Sequence, residues 1–141
     1  MTKLKYGSLC RQIPSLLNKV DCVSHDIREF LNDTGLQSLC FPVELTAREC
    51  LNNAIIHGNN RDPDKKVILE LRVGKKWIRL RVSDEGPGFN WRGSRQPSEP
   101  CDTASNGRGL SILNLYASRI AFNRRGNQIS LWLNKEFKGE P

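Results

Sequence analysis

No apolar run in the 141 residues is long enough to cross a membrane. The stretches Val67 to Val73 and Ile78 to Val82 are short and broken by charges, so neither a transmembrane helix nor a secretory signal is expected. Metal-site spacing is missing as well. The five cysteines (Cys10, Cys22, Cys40, Cys50, Cys101) form no C-x-x-C pair and no Cys/His set. An odd number without such spacing reads as reduced thiols of a cytoplasmic protein, with Cys50 in the core. There is no internal repeat and no sign of a second domain, so residues 1–141 read as one domain. Acidic side chains are scarce in one half only. Residues 71–141 carry six against thirteen basic ones, whereas residues 1–70 carry nine of each, so the net +7 lies in the second half. Such an excess points to an anionic partner but does not choose among nucleotide, nucleic acid and acidic protein.

What is present is the composition of a soluble globule, 38% hydrophobic and 26% charged. A chain of this length buries roughly two thirds of its surface. Residues 3–13 read as an edge strand ending at Pro14. Leu16, Leu17, Val20, Val23, Ile27, Phe30 and Leu31 recur at helical spacing, predicting a helix from about Pro14 to Asn32 with a stop at Gly35. A second helix is predicted from about Pro42 to His57, ending in Gly58-Asn59-Asn60. Strict alternation over Val67–Val73 and Ile78–Val82, around Gly74-Lys75-Lys76, predicts a hairpin. Residues 85–108 are rich in Gly, Pro and Ser and have no period, as in a long functional loop. A third helix is predicted from near Gly107 through Leu110, Leu113, Leu115 and Tyr116. A last hairpin pairs Arg119–Asn123 with Gln128–Leu133. These elements predict an α+β two-layer sandwich, with a mainly antiparallel sheet of about five strands and three helices on one face.

Three groups of residues can carry chemistry. Glu49, Asn53 and His57 follow at i, i+4 steps on the second helix and share one stripe there. They could act as base, metal ligand and hydrogen-bonding support, or simply form a polar solvent face. Asp84 follows the second hairpin strand on the side of Ile78, Leu80 and Val82, where a carboxylate needs a hydrogen-bond donor. The exocyclic amine of adenine is such a donor, and Gly86 and Gly88 would let the backbone turn closely around a ligand. The alternative is a tight turn capped by Asp84. Asn106-Gly107-Arg108-Gly109-Leu110-Ser111 leads straight into a helix. Free backbone N–H groups there would suit an anion, or the glycines would act as a hinge.

The joint order Glu-x-x-x-Asn, Asp-x-Gly-x-Gly, Gly-x-Gly resembles the GHKL or Bergerat-fold ATPases, the superfamily of gyrase, MutL and histidine kinases. It is most similar to the small bacterial anti-sigma-factor serine/threonine kinases of the RsbW and SpoIIAB type. The likeness is strongest over ECLNNAIIHG (Glu49–Gly58), DEGPGF (Asp84–Phe89) and GRGL (Gly107–Leu110). The resemblance implies a histidine-kinase-like ATPase fold binding ATP and Mg²⁺. It implies that Asn53 holds the metal against the phosphates, that Asp84 reads adenine and that Gly86 and Gly88 shape its pocket. Gly107, Arg108, Gly109 and Leu110 would wrap the phosphates beneath a lid at about 90–106, and Glu49 would be the general base. Some relatives place a basic residue where this chain has Ser105-Asn106; Arg92, Arg95 or Arg108 could replace that charge.

The implied function is a cytoplasmic Mg·ATP-dependent protein serine/threonine kinase and anti-sigma factor. It would phosphorylate a STAS-type antagonist, bind a sigma factor or another regulator, and accommodate a homodimer. No membrane partner is implied.

Other readings remain. His25, in Val23-Ser24-His25-Asp26, resembles a histidine-kinase phospho-acceptor, but 23 residues before Glu49 are too few for a dimerising hairpin plus a strand. A water-activating ATPase of the gyrase kind would need attached domains. A non-catalytic ATP-responsive switch would need only the binding site. Nucleic acid is the outside reading. It rests on Trp77, Arg79 and Arg81, joined by Arg72 and Trp132, on the sheet face turned away from the core.

Overall fold

The structure, a computed structural model, describes residues 6–88 and 111–136. It contains an open five-stranded sheet in the order β1-β2-β3-β5-β4, and every neighbouring pair is antiparallel. The strands are β1 (Gly7–Pro14), β2 (Lys66–Val73), β3 (Trp77–Ser83), β4 (Arg119–Phe122) and β5 (Gln128–Asn134). Two helices, α1 (Val20–Asp33) and α2 (Cys40–Asn53), precede β2. Residues 111–116 are also helical and lead into β4. The architecture is α+β, as the order of periodicities predicts. The predicted lid at 90–106 and the glycine box Gly107, Arg108, Gly109 and Leu110 lie outside the described residues, as does Cys101.

Alternation decides which face of the sheet is covered. Val67, Leu69, Leu71 and Val73 of β2, with Ile78, Leu80 and Val82 of β3, are all buried. Leu131 and Leu133 of β5 join them, and Val23, Ile27, Leu31, Val43, Ala47, Leu51 and Ile55 close the layer from above. Each fully buried Leu or Ile contributes roughly 1.5–3 kcal/mol by leaving water, so this sandwich fixes the sheet against the helices. Cys50 is part of it, and burial pushes its thiol pKa upward.

Both helices start more tightly than helical spacing predicts. A 3₁₀ turn, Leu17–Lys19, precedes α1, and another, Gln37–Leu39, precedes α2. Leu16 and Leu17 therefore stay largely exposed, although they fit the apolar period. Leu115 is also exposed, while Leu113 is buried. Gly35 ends the first helical segment with φ 76°, the left-handed conformation that favours glycine.

Polar contacts lock α1 to its neighbours. Glu44 of α2 receives Arg28 Nε at 3.0 Å, Arg28 Nη2 at 2.8 Å and Ser24 Oγ at 2.7 Å. Arg48 of α2 reaches Asp21, and Arg11 of β1 reaches Asp26.

Candidate functional site

The second helix does not run unbroken to His57. After Asn53 it widens into a π turn, Ala54–Gly58, in which the Asn59 N–H donates to the Ala54 carbonyl at 2.8 Å. Single π turns of this kind are frequent at functional sites. His57 lies within this π turn and is exposed, whereas Glu49 and Asn53 belong to the α-helical part before it. Glu49 and Asn53, one turn apart, are half-buried, and neither side chain makes a hydrogen bond or ion pair with the described residues.

The π turn delivers Gly58 against Asp84. A Cβ on Gly58 would overlap the Asp84 carboxylate, and a Cβ on Gly86 would overlap the Gly58 carbonyl. Helix end and strand end therefore meet backbone to backbone, which only glycine allows. Asp84 Oδ1 accepts the Gly86 N–H at 2.8 Å, while Oδ2 takes no hydrogen bond from the described residues. Burial raises the pKa of this carboxyl, opposed in part by the Gly86 amide and by the charge of Lys65. The carboxylate is short of donors, as its position beside the core strands predicts.

Asn59 holds the arrangement together from beneath. It is fully buried; its Nδ2 donates to Ser15 Oγ at 2.8 Å and to the Lys66 carbonyl at 2.9 Å. Its Oδ1 accepts the Glu85 N–H at 2.8 Å, and Glu85 in turn accepts the Lys66 N–H. One side chain thus ties the end of β1, the start of β2 and the loop after β3. The sharp exit of the chain uses left-handed Asn60 and Arg61, with φ 57° and 58°.

The turn between β4 and β5 forms the other wall. The Asp84 N–H donates to the Asn127 carbonyl at 2.9 Å, and Asn127 Nδ2 reaches the Gly86 carbonyl at 3.4 Å. Gly88, at φ 82°, lies so close to the Arg125 carbonyl that a Cβ there would overlap it. Arg125, distant from the glycine boxes in sequence, is therefore beside Gly88 in space. Asn123 shapes this turn by accepting the N–H groups of Gly126, Asn127 and Gln128.

The structure thus brings Asp84, Gly86 and Gly88 together with Gly58, Asn59, Asn127 and Arg125, which sequence reasoning did not select. Gly58-Asn59-Asn60 has the composition of a plain helix stop. Its partner lies 26 residues away, and no local signal marks that approach. His25 is exposed on α1 and sits 3.2 Å from Glu29 one turn on, an ordinary surface pair.

The sequence profile of the family described as "Histidine kinase-like ATPase domain" matches residues 13–133, most of the chain. The chain belongs to this family. Two anti-sigma F factors are similar to this ATPase domain. That of Geobacillus sp. (strain WCH70) is 28% identical over 90 residues, and that of Geobacillus thermodenitrificans (strain NG80-2) is 29% identical over 90 residues. Each match spans 61% of this chain and 61% of the relative.

Membership implies an ATP site, and the described residues of the domain fit one. A half-buried carboxylate, one oxygen of which takes no hydrogen bond from the described residues, stands over a floor that excludes side chains at Gly58 and Gly86. Mg²⁺ takes oxygen ligands. Among the described residues no group of His, Cys, Asp or Glu forms a metal cage. Asn53 would offer this ion one amide oxygen, with phosphate and water oxygens as the remaining ligands.

Proposed function

We propose that this ATPase domain is a protein serine/threonine kinase that also acts as an anti-sigma factor. It would use Mg·ATP to phosphorylate a STAS-type antagonist, and would hold a sigma factor or related regulator when the antagonist is not engaged. The reading treats residues 1–141 as one catalytic domain with its lid at 90–106, acting in the cytoplasm. Among the described residues no helix is long and apolar enough to cross a membrane. The anti-sigma function is proposed from the similarity to the two anti-sigma F factors.

The observation that carries the catalytic part is the pair Glu49 and Asn53. They stand one turn apart on the helix that ends against Asp84, and no described side chain engages either. In the proposed reaction Asp84 accepts the adenine amine, while the glycine floor lets the base lie flat against backbone. Asn53 offers its amide oxygen to the metal, which when bound neutralises charge between the phosphates. Gly107, Arg108, Gly109 and Leu110 are proposed to surround the phosphates with N–H donors. Glu49 takes the proton of the attacking serine or threonine hydroxyl. That oxygen bonds to the γ-phosphorus as the β–γ bridging P–O bond breaks, and ADP leaves with the bridging oxygen. A carboxylate suits a hydroxyl, which must lose a proton; a histidine nucleophile would need no such base.

The test is incubation with Mg·ATP and candidate STAS proteins, followed by intact mass. A gain of one phosphate on the STAS protein is expected. A stable complex without mass gain would make the domain a binding switch, and gain on this chain itself would favour a histidine-kinase mechanism.

A further inference from the structure

The sheet face turned away from the helices carries a row of cations that the ATP site does not use. Strand register aligns Ser8, Arg72, Arg79, Trp132 and Arg119 across all five strands. The neighbouring row brings Glu70 opposite Arg81, whose Nε is taken by Ser130 Oγ at 3.0 Å. Arg72 and Arg79 stand directly opposite each other, a like-charge pairing that destabilises a sheet. Neither makes a hydrogen bond or ion pair with the described residues. Arg79 Nε is also buried without an acceptor among the described residues. Such an atom ordinarily has a partner. Burial, followed by the charges of Arg81 and Arg72, lowers the Arg79 pKa.

The same residues line a concavity of about 620 Å³, bordered by Tyr6, Ser8, Cys10, Glu70, Arg72 and Arg79. It is remote from Asp84. Asp84 is five steps along the chain from Arg79, about 16 Å at the rise of a strand, and the two lie on opposite faces. A planar guanidinium fork in a concave cationic surface matches a carboxylate.

We infer that this outer face is a docking surface for an acidic segment of a protein partner, with one partner carboxylate received by Arg79 and flanked by Arg72. The partner's negative charge offsets the Arg72–Arg79 repulsion, and its carboxylate pairs with the outer guanidinium nitrogens of Arg79. Single-stranded nucleic acid fits less well. Stacking needs open aromatic faces, whereas Arg119 lies 4.8 Å from the Trp132 ring centroid and Trp77 is folded onto Gly74. Glu70 within the concavity also interrupts a phosphate track.

The test is fluorescence anisotropy on the full chain with a fluorescein-labelled octaglutamate peptide, and in parallel with labelled oligothymidylate of equal length. Octaglutamate is expected to bind. Arg79→Gln should weaken it at least tenfold and Arg72→Gln several-fold, while Lys19→Gln, the same charge change on the helical side, has little effect. Arg79→Lys keeps the charge but not the fork, and should fall between wild type and Arg79→Gln. ATP affinity, measured alongside, should be unchanged in all four variants, which separates failure here from failure of the kinase reading. Equal weakening by Lys19→Gln and Arg79→Gln would reduce the effect to net charge and overturn the inference. Tighter oligothymidylate binding that is lost in Arg79→Gln would assign the face to nucleic acid. A concentration-dependent dimer abolished by Arg79→Gln would assign it to a second copy of this chain.

Discussion

The carbonyl oxygen of Gly58 occupies the space that a Cβ on Gly86 would need. Because both partners are backbone, neither can swing aside as a side chain could. Gly86→Ala is expected to cost about 2–3 kcal/mol, the upper range for forcing an extra carbon into a packed site. It should also abolish ATP binding, because the loop after β3 would be lifted. Gly58→Ala meets the Asp84 side chain instead, so it should spare more stability while still disturbing ATP affinity. Urea denaturation and calorimetric titration with ATP check the pair.

Asp84→Asn should separate stability from function. Burial raises the carboxyl pKa, so the folded protein binds this proton more tightly than the unfolded chain does. The corresponding stability is full below the unfolded pKa and is lost as pH rises through the higher, folded one. At pH 7 the ionised carboxylate is therefore a liability, and the Asn variant should melt at an equal or higher temperature. Its ATP affinity should nonetheless drop by about tenfold or more, the equivalent of about 1.4 kcal/mol. In the wild type, ATP affinity should begin to weaken on acidification at a pH above the ordinary aspartate value of about 3.9.

Much of this region could be read in the sequence, and the parts that could not share a cause. Alternation over Val67–Val73 and Ile78–Val82 marks β2 and β3 because one face of each is buried and the other is not. Asp84 stood out because a carboxylate beside core positions needs a donor. The π turn left no trace, since Ala54–Gly58 has the same apolar spacing as an ordinary helix end. Asn59 and Arg125 acquire their roles from residues far along the chain, Glu85 and Gly88 respectively. Periodicity reports what a residue faces, but not what a distant turn brings to it.

Glu49→Ala should reduce phosphotransfer to a STAS protein by about 10²–10⁴-fold, the usual contribution of a positioned base. ATP affinity should be retained, because Glu49 is assigned to the proton and not to the nucleotide. Undiminished transfer in single-turnover assays would remove Glu49 from the mechanism.

The clamp between α1 and α2 should loosen in acid. Burial raises the Glu44 pKa, but hydrogen bonds from Arg28 and Ser24 and the charges of Arg28 and Arg48 outweigh it, and the net shift is downward. The resulting stability is present above the unfolded pKa of about 4.3 and is lost as pH falls through the lower folded value. Ser24→Ala, which removes a buried donor to this carboxylate, should cost about 1.5 kcal/mol at pH 7. The difference from wild type should shrink below pH ~4 as Glu44 protonates. Urea titrations at the two pH values report it.

The pairing of β3 with β5, rather than with β4, sets the order in which the molecule can become competent. During synthesis Asp84 emerges well before Asn127, whose carbonyl receives its N–H. Contacts of such long sequence separation form late. Until β5 docks, the loop after β3 has only its Gly58–Asn59 wall. Nucleotide binding would then report completion of folding, and ATP would protect finished chains from proteolysis while leaving unfinished ones open to it.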